Sequence, residues 1–142
     1  MEKFETAKAE YEQQLDDPTA LIWYGRRAGY LGKYNDAIAI FNEGVKKHPE
    51  DARMYRHRGH RYISTRQYDK AIADFEKAAE MVERKEDMTE PEGLPNDRGI
   101  PISSLHGNIW YHLALGHYHK HDWEAAEEAY KSRYETHHND DN

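Results

Sequence analysis

The chain has 142 residues, 37% apolar and 33% charged, with a net charge of −7 and no cysteine. That length suits one domain with a real core. The missing cysteines exclude a disulfide framework and a thiolate nucleophile, and no apolar run approaches the roughly 18 residues of a membrane helix. A mean hydropathy of −1.15, with 11 tyrosines and few β-branched residues, suits thin helices better than a thick sheet core.

In chain order, EKFETAKAEYEQQL (2–15) predicts a first helix, because Phe4, Ala7, Tyr11 and Leu15 recur along one stripe. Asp17-Pro18 breaks it, and Pro18 suits the first turn of the next helix. Gly32 is expected to end that helix, and Asn35 or Asp36 to start the one after it. There Ala37, Phe41, Gly44 and Val45 recur at helical spacing. The stretch RMYRHRGHRY (53–62) follows, with four arginines and two histidines. It lies in a basic middle: residues 22–66 carry a net +6, residues 1–21 a net −4 and residues 67–142 a net −9. Asp69 is expected to start a further helix, whose inward residues are Ala71, Phe75, Ala78 and Ala79. In EDMTEPEGLPNDRGIPISSLH (86–106), Pro91, Pro95, Pro101, Gly93 and Gly99 forbid a continuous helix. Ser103 or Ser104 would cap the helix of NIWYHLALGHYHKH (108–121), and DWEAAEEAY (122–130) opens the last one. The tail HHNDDN (137–142) reads as frayed.

An internal repeat organises these elements. KYNDAIAIF (33–41) and QYDKAIADF (67–75) align without a gap, so Tyr34, Ala37, Ile38 and Phe41 match Tyr68, Ala71, Ile72 and Phe75 at an offset of 34. At the same offset WYGRRAGYLG (23–32) lies over HRGHRYISTR (57–66), which places Gly25 on Gly59. DWEAAEEAY (122–130) supplies a third copy through Trp123, Ala126 and Tyr130. This period and pattern resemble the tetratricopeptide repeat (TPR) family, as a small bacterial-type member with a Pro-rich loop inserted before the third repeat. The resemblance implies an all-α fold: a right-handed α-solenoid of helix-turn-helix repeats with about seven helices, in a single domain spanning 1–142. It divides the chain into an N-terminal capping helix (1–16), repeat 1 (18–51), repeat 2 (52–85), an inserted loop (86–106) and repeat 3 (107–138). Stacking is needed because one helix pair cannot bury its apolar face alone. The third copy departs from the pattern with Glu127 and Arg133 on the face that would receive a further repeat. The array either ends there or the chain is truncated.

In this family the first helix of each pair lines a concave face. A helical wheel then puts Arg53, Arg56, His57 and His60 on one arc, opposite Tyr55, Gly59 and Tyr62. Ile22, Trp23, Arg26 and Tyr30 occupy the equivalent arc of repeat 1, and Asn108, Tyr111, His112, Tyr118 and His119 that of repeat 3. The candidate peptide-binding residues are therefore Trp23, Arg26, Tyr30, Arg53, Arg56, His57, His60, Tyr111, His112, Tyr118 and His119. Arginine forks grip carboxylates, and aromatics add rigid contact area, so an acidic or C-terminal carboxylate segment is the expected partner. Some family members hold chaperone C-termini with a Lys/Asn/Arg clamp. The matching positions here carry Ile22, Arg26, His57, Asn108 and His112, which is not that clamp. The groove histidines predict a rise in charge below pH ~6.5. Arg58 falls at a packing position, where either its stem snorkels or it pairs with an acid such as Asp74 on the partner helix.

No catalytic motif is present, so the expectation is a non-enzymatic interaction scaffold without cofactor. His117 and His121, and His57 and His60, have spacings that can hold a metal ion, so metal binding through the histidines is a third reading, ranked below peptide binding and self-association; the pairs lack a completing ligand set, and no metal site is assigned. A membrane partner is not expected, and the pI of 5.8 argues against nucleic acid. The alternative function is a self-associating structural module that dimerises through the terminal repeat. For the 86–106 segment two readings stay open: a surface linker, or a functional loop that could occupy the groove as a built-in pseudo-ligand. Cytoplasmic localisation is the default; a periplasmic or secreted one applies if a signal peptide has been removed.

Overall fold

The computed structural model describes residues 1–83, 85–90, 98 and 104–137. Among them are seven helices: α1 (Glu2–Gln13), α2 (Pro18–Tyr30), α3 (Tyr34–Lys47), α4 (Ala52–Ser64), α5 (Tyr68–Val82), α6 (Leu105–His119) and α7 (Trp123–His137). Each packs on its chain neighbour, and α2, α4 and α6 also touch one another in sequence. The first helices of the three repeats therefore form one layer, with each second helix packed against first helices, which is the all-α solenoid expected from the repeat.

Local chemistry sets the helix starts. The Asp17 carboxylate accepts the Thr19 amide at 2.9 Å, with Pro18 in the first turn. Asp51 and Ser104 cap α4 and α6 in the same way, accepting the amides of Arg53 and Gly107 at 3.0 Å each. Of the two expected serine caps, Ser103 lies outside the described residues. The caps expected for the second helices are corrected. Lys33 and Gln67 precede α3 and α5, and neither side chain caps. Asp36 and Asp69 sit inside the first turns, where a negative charge faces the positive end of the helix dipole. The first helix also stops earlier than its stripe suggested, at Gln13, which leaves Leu15 exposed beyond it.

Gly32 follows α2 with φ +76°, the left-handed conformation that favours glycine. The same position in the next two repeats holds Arg66 (φ 60°) and His121 (φ 63°), so two non-glycine residues adopt it at a cost.

Small residues opposite aromatics set the spacing within a pair. The Phe41 and Phe75 rings are fully buried and lie directly against the backbone at Gly25 and Gly59. Leu21, Ile22, Ala28, Ala37 and Met54 complete the first cluster around Phe41. Ala78, Val82, Leu105 and Ile109 join repeat 2 to repeat 3, and Phe75, Leu113, Ala114 and Ala129 fill repeat 3. At the N-terminal end Phe4 and Tyr11 pack their rings on Tyr24 at 5.7 and 5.5 Å, so α1 covers repeat 1. Arg58 pairs with Asp74 on the neighbouring helix through two bonds of 2.8 and 2.7 Å, and its third nitrogen reaches Asn42 at 3.1 Å. The Asp74 hydrogen bonds push the Arg58 guanidinium up from its ordinary value. No helix among the described residues is long and apolar enough to cross a membrane.

Candidate functional site

The α2–α4–α6 layer brings most of the expected site residues to one region, though many are less open than a helical wheel implies. In α2, Arg26 donates to the Tyr30 hydroxyl, and its guanidinium lies over the Trp23 and Tyr30 rings at 5.9 and 5.3 Å. Tyr30 is exposed and Trp23 partly so. In α4, Arg53 folds back onto its own helix cap: Nε and Nη2 donate to Asp51 at 3.0 and 2.7 Å, and Nη1 to Thr19 at 3.3 Å.

Deeper in the layer, His57 is buried with its ring stacked on Phe41 at 5.7 Å. His60 meets His112 across α4 and α6 with ring centroids 4.6 Å apart. Arg61 Nη2 donates to His60 Nδ1 at 2.8 Å, which requires that nitrogen to be unprotonated. His112 is buried against Phe75, and its Nδ1 donates to the Asn108 carbonyl at 2.7 Å.

The guanidiniums of this layer act on its histidines. Burial, then Arg56, Arg26, Arg53 and Arg61, holds His57 well below the usual histidine range. Burial and the neighbouring His112 and Arg61 do the same to His60. Burial and Arg56 push His112 down to about 3. The expected gain of groove charge below pH 6.5 is therefore corrected for these three rings: they stay neutral there, because their charged form would be desolvated among arginines.

Arg56 sits at the centre. It is 4% exposed, and it donates through Nε and Nη2 to the carboxylate of Glu90 at 2.8 and 3.1 Å. Asn108 Nδ2 donates to the same carboxylate at 2.6 Å, and Glu90 is 1% exposed. Glu90 belongs to no helix; it comes from the segment between repeats 2 and 3. Two main-chain contacts hold that segment against the start of α6. Leu105 donates its amide to the Met88 carbonyl at 2.8 Å, and Thr89 bridges Ser104. The Asp87 carboxylate adds a third, accepting the His106 amide at 3.0 Å. Sequence reasoning missed Glu90 and Asp87. The available signal was a cluster of arginines that needs a buried counter-charge, next to an insertion rich in acids.

The remaining expected residues stand apart. Tyr111 is exposed beside Tyr130 and Arg133, with ring contacts of 6.2 and 5.7 Å. Tyr118 and His119 lie about two helical turns beyond His112. There Tyr118 contacts Trp123 at 5.1 Å, and His119 stacks on Tyr68 at 4.9 Å. No three His, Cys, Asp or Glu among the described residues are grouped to hold a metal ion.

Helix pairs of period 34, stacked with their first helices in one layer, define a helical-repeat scaffold. Residues 24–88 match the model of the tetratricopeptide repeat. With three in-register copies and this stacking, the chain has the all-α solenoid fold of tetratricopeptide-type repeats. The solved structures it resembles share the fold. The TPR domain of Sgt2 from Aspergillus fumigatus is 20% identical with a TM-score of 0.68, over 86% of this chain and 67% of that one. The type III secretion translocator chaperone SycD of Yersinia enterocolitica is also 20% identical with a TM-score of 0.68, over 86% and 76%. The first TPR of Spaghetti (RPAP3), bound to the HSP90 peptide SRMEEVD, is 15% identical with a TM-score of 0.66, over 84% and 78%. No curated protein sequence matches the chain.

Proposed function

We propose that the chain is a protein-interaction module without catalytic activity, whose concave face receives an acidic segment of a partner protein, extended or helical. One observation carries this reading: Arg26, Arg53, Arg56 and Arg61 converge around His57 in a chain whose net charge is −7. Such a concentration of guanidiniums is costly unless carboxylates meet it. Arg61 is half-buried, and among the described residues no carboxylate bonds to it. The Trp23–Arg26–Tyr30 cluster offers a rim of rigid rings beside this charge. The fold neighbour that holds SRMEEVD supports a peptide as occupant. The absence of the Lys/Asn clamp pattern argues that the peptide here is a different one.

The test is fluorescence anisotropy with a labelled hexaglutamate carrying a free C-terminus. Binding with a Kd below about 100 µM that weakens as salt is raised is the expected result. Arg26→Gln combined with Arg53→Gln should weaken it at least about fivefold, through loss of two charge-assisted contacts. No binding at low salt would overturn the reading.

Self-association through the third repeat is the second reading. It is favoured by exposed rings on α6 and α7, namely Tyr111, Tyr118, Trp123 and Tyr130. Light scattering that finds a concentration-independent monomer would remove it.

A further inference from the structure

We infer that Arg56 and Asn108 form a carboxylate-receiving subsite whose resting occupant is the chain's own Glu90, and that a partner's acidic side chain takes Glu90's place there. This rests on the acidic-segment reading above and names its central contact and its regulation.

The geometry of the contact is that of a ligand. One carboxylate receives two nitrogens of a guanidinium and one of a side-chain amide, all within 3.1 Å, on the face where the first helices meet. The carboxylate comes from outside the repeats. Residues 85–89 are all exposed, and only Glu90 dips into the layer. Among the described residues 85–90, the occupant therefore enters as a single buried side chain. What holds the segment is the pairing of residues 87–89 with 104–106, at the start of α6 and away from the carboxylate itself. Glu90 can leave Arg56 while those main-chain contacts stay in place.

The site is also incompletely filled. Arg56 Nη1 is buried with no hydrogen-bond partner among the described residues, and a buried guanidinium proton without an acceptor is unfavourable. Arg61 adds a further positive charge beside His57 and His60, and among the described residues its hydrogen bonds go to His60 and not to a carboxylate. An incoming acidic segment would replace Glu90 and supply further carboxylates that a single glutamate cannot. Because Glu90 is tethered, it competes at a high effective concentration. The observed affinity of an outside ligand is then reduced by the fraction of chains in which Glu90 is out.

A merely structural ion pair predicts something different: losing it would weaken the fold and improve no binding. The experiment measures labelled hexaglutamate binding to the full chain, to Glu90→Gln and to Glu86→Gln. Glu86 is exposed in the same segment and makes the same change in net charge. The expected result is binding at least about tenfold tighter for Glu90→Gln, with Glu86→Gln close to the unmodified chain. Adding Arg56→Gln to Glu90→Gln should remove the gain. Equal affinity in Glu90→Gln and Glu86→Gln overturns the subsite while leaving the concave-face reading intact. No binding by any variant overturns both. Should Glu90→Gln fail to fold alone, hexaglutamate must restore a cooperative thermal transition, since it returns the missing carboxylate. A chain that folds neither alone nor with the peptide overturns the exchangeable occupant.

Discussion

Acidification from pH 7.5 to pH 5 should destabilise this protein strongly, and the effect should trace to three histidines in the α2–α4–α6 layer. His57, His60 and His112 are all held below their ordinary value by burial, with Arg56 or Arg61 beside each. A folded pKa below the unfolded value of about 6.5 means that the unfolded chain binds protons first. Stability is thus fully present above pH 6.5 and is lost as pH falls. For His112 the loss continues until its folded value of about 3 is reached. At pH 5, 1.5 units below the unfolded value, each such ring loses roughly 2 kcal/mol. His112 should contribute this in full, and His57 and His60, held down by the same burial, add to it in the same direction. Against a typical domain stability of about 5–15 kcal/mol, this brings the chain towards its unfolding midpoint. The assay is urea denaturation followed by circular dichroism at pH 7.5, 6.0 and 5.0, checked for a constant m-value. His112→Gln retains a donor for the Asn108 carbonyl and should flatten the slope by close to one proton. A stability independent of pH over this range, or one that rises on acidification, would refute the reasoning.

The left-handed positions after α4 and α6 give a prediction of opposite sign. Arg66→Gly and His121→Gly should each raise stability by about 0.5–1 kcal/mol, because glycine removes the strain that Gly32 avoids in repeat 1, less its own entropy in the unfolded chain; a lowered melting temperature would count against this. At the Phe41 contact, a Cβ on Gly25 would lie 2.4 Å from the ring, which is wedged between α2 and α3 and stacked on His57. Gly25→Ala should therefore cost about 2–3 kcal/mol. Gly59→Ala should cost less, since its nearest Phe75 atom is 2.9 Å away, and a reversed order in thermal melts would contradict the packing description.

The scaffold was legible because it depends on residues that recur. A period of 34 with Gly25 and Gly59 opposite Phe41 and Phe75 encodes the distance within each helix pair, and the distance within a pair dictates stacking. Arg58 and Asp74 were also readable as a pair, since a charge at a packing position requires a partner on the facing helix. Tertiary structure decided the interior of the groove. A helical wheel knows which way a side chain leaves its helix, but not how near the next first helix stands. Arg56, His57 and His112 appear on an outward arc, yet they are enclosed once α2, α4 and α6 close up. That enclosure keeps the histidines neutral and makes the Arg56 charge demand a counter-ion. Glu90 meets that demand from outside the repeat, where no period could announce it. It is placed by contacts between residues 87–89 and 104–106, at the start of α6, which itself packs on α5. The sequence by itself determined the repeat, the helix pairs and the clustering of arginines on one layer. Which of those arginines is already occupied was decided by a long-range contact, because a carboxylate finds its partner through space and not through spacing.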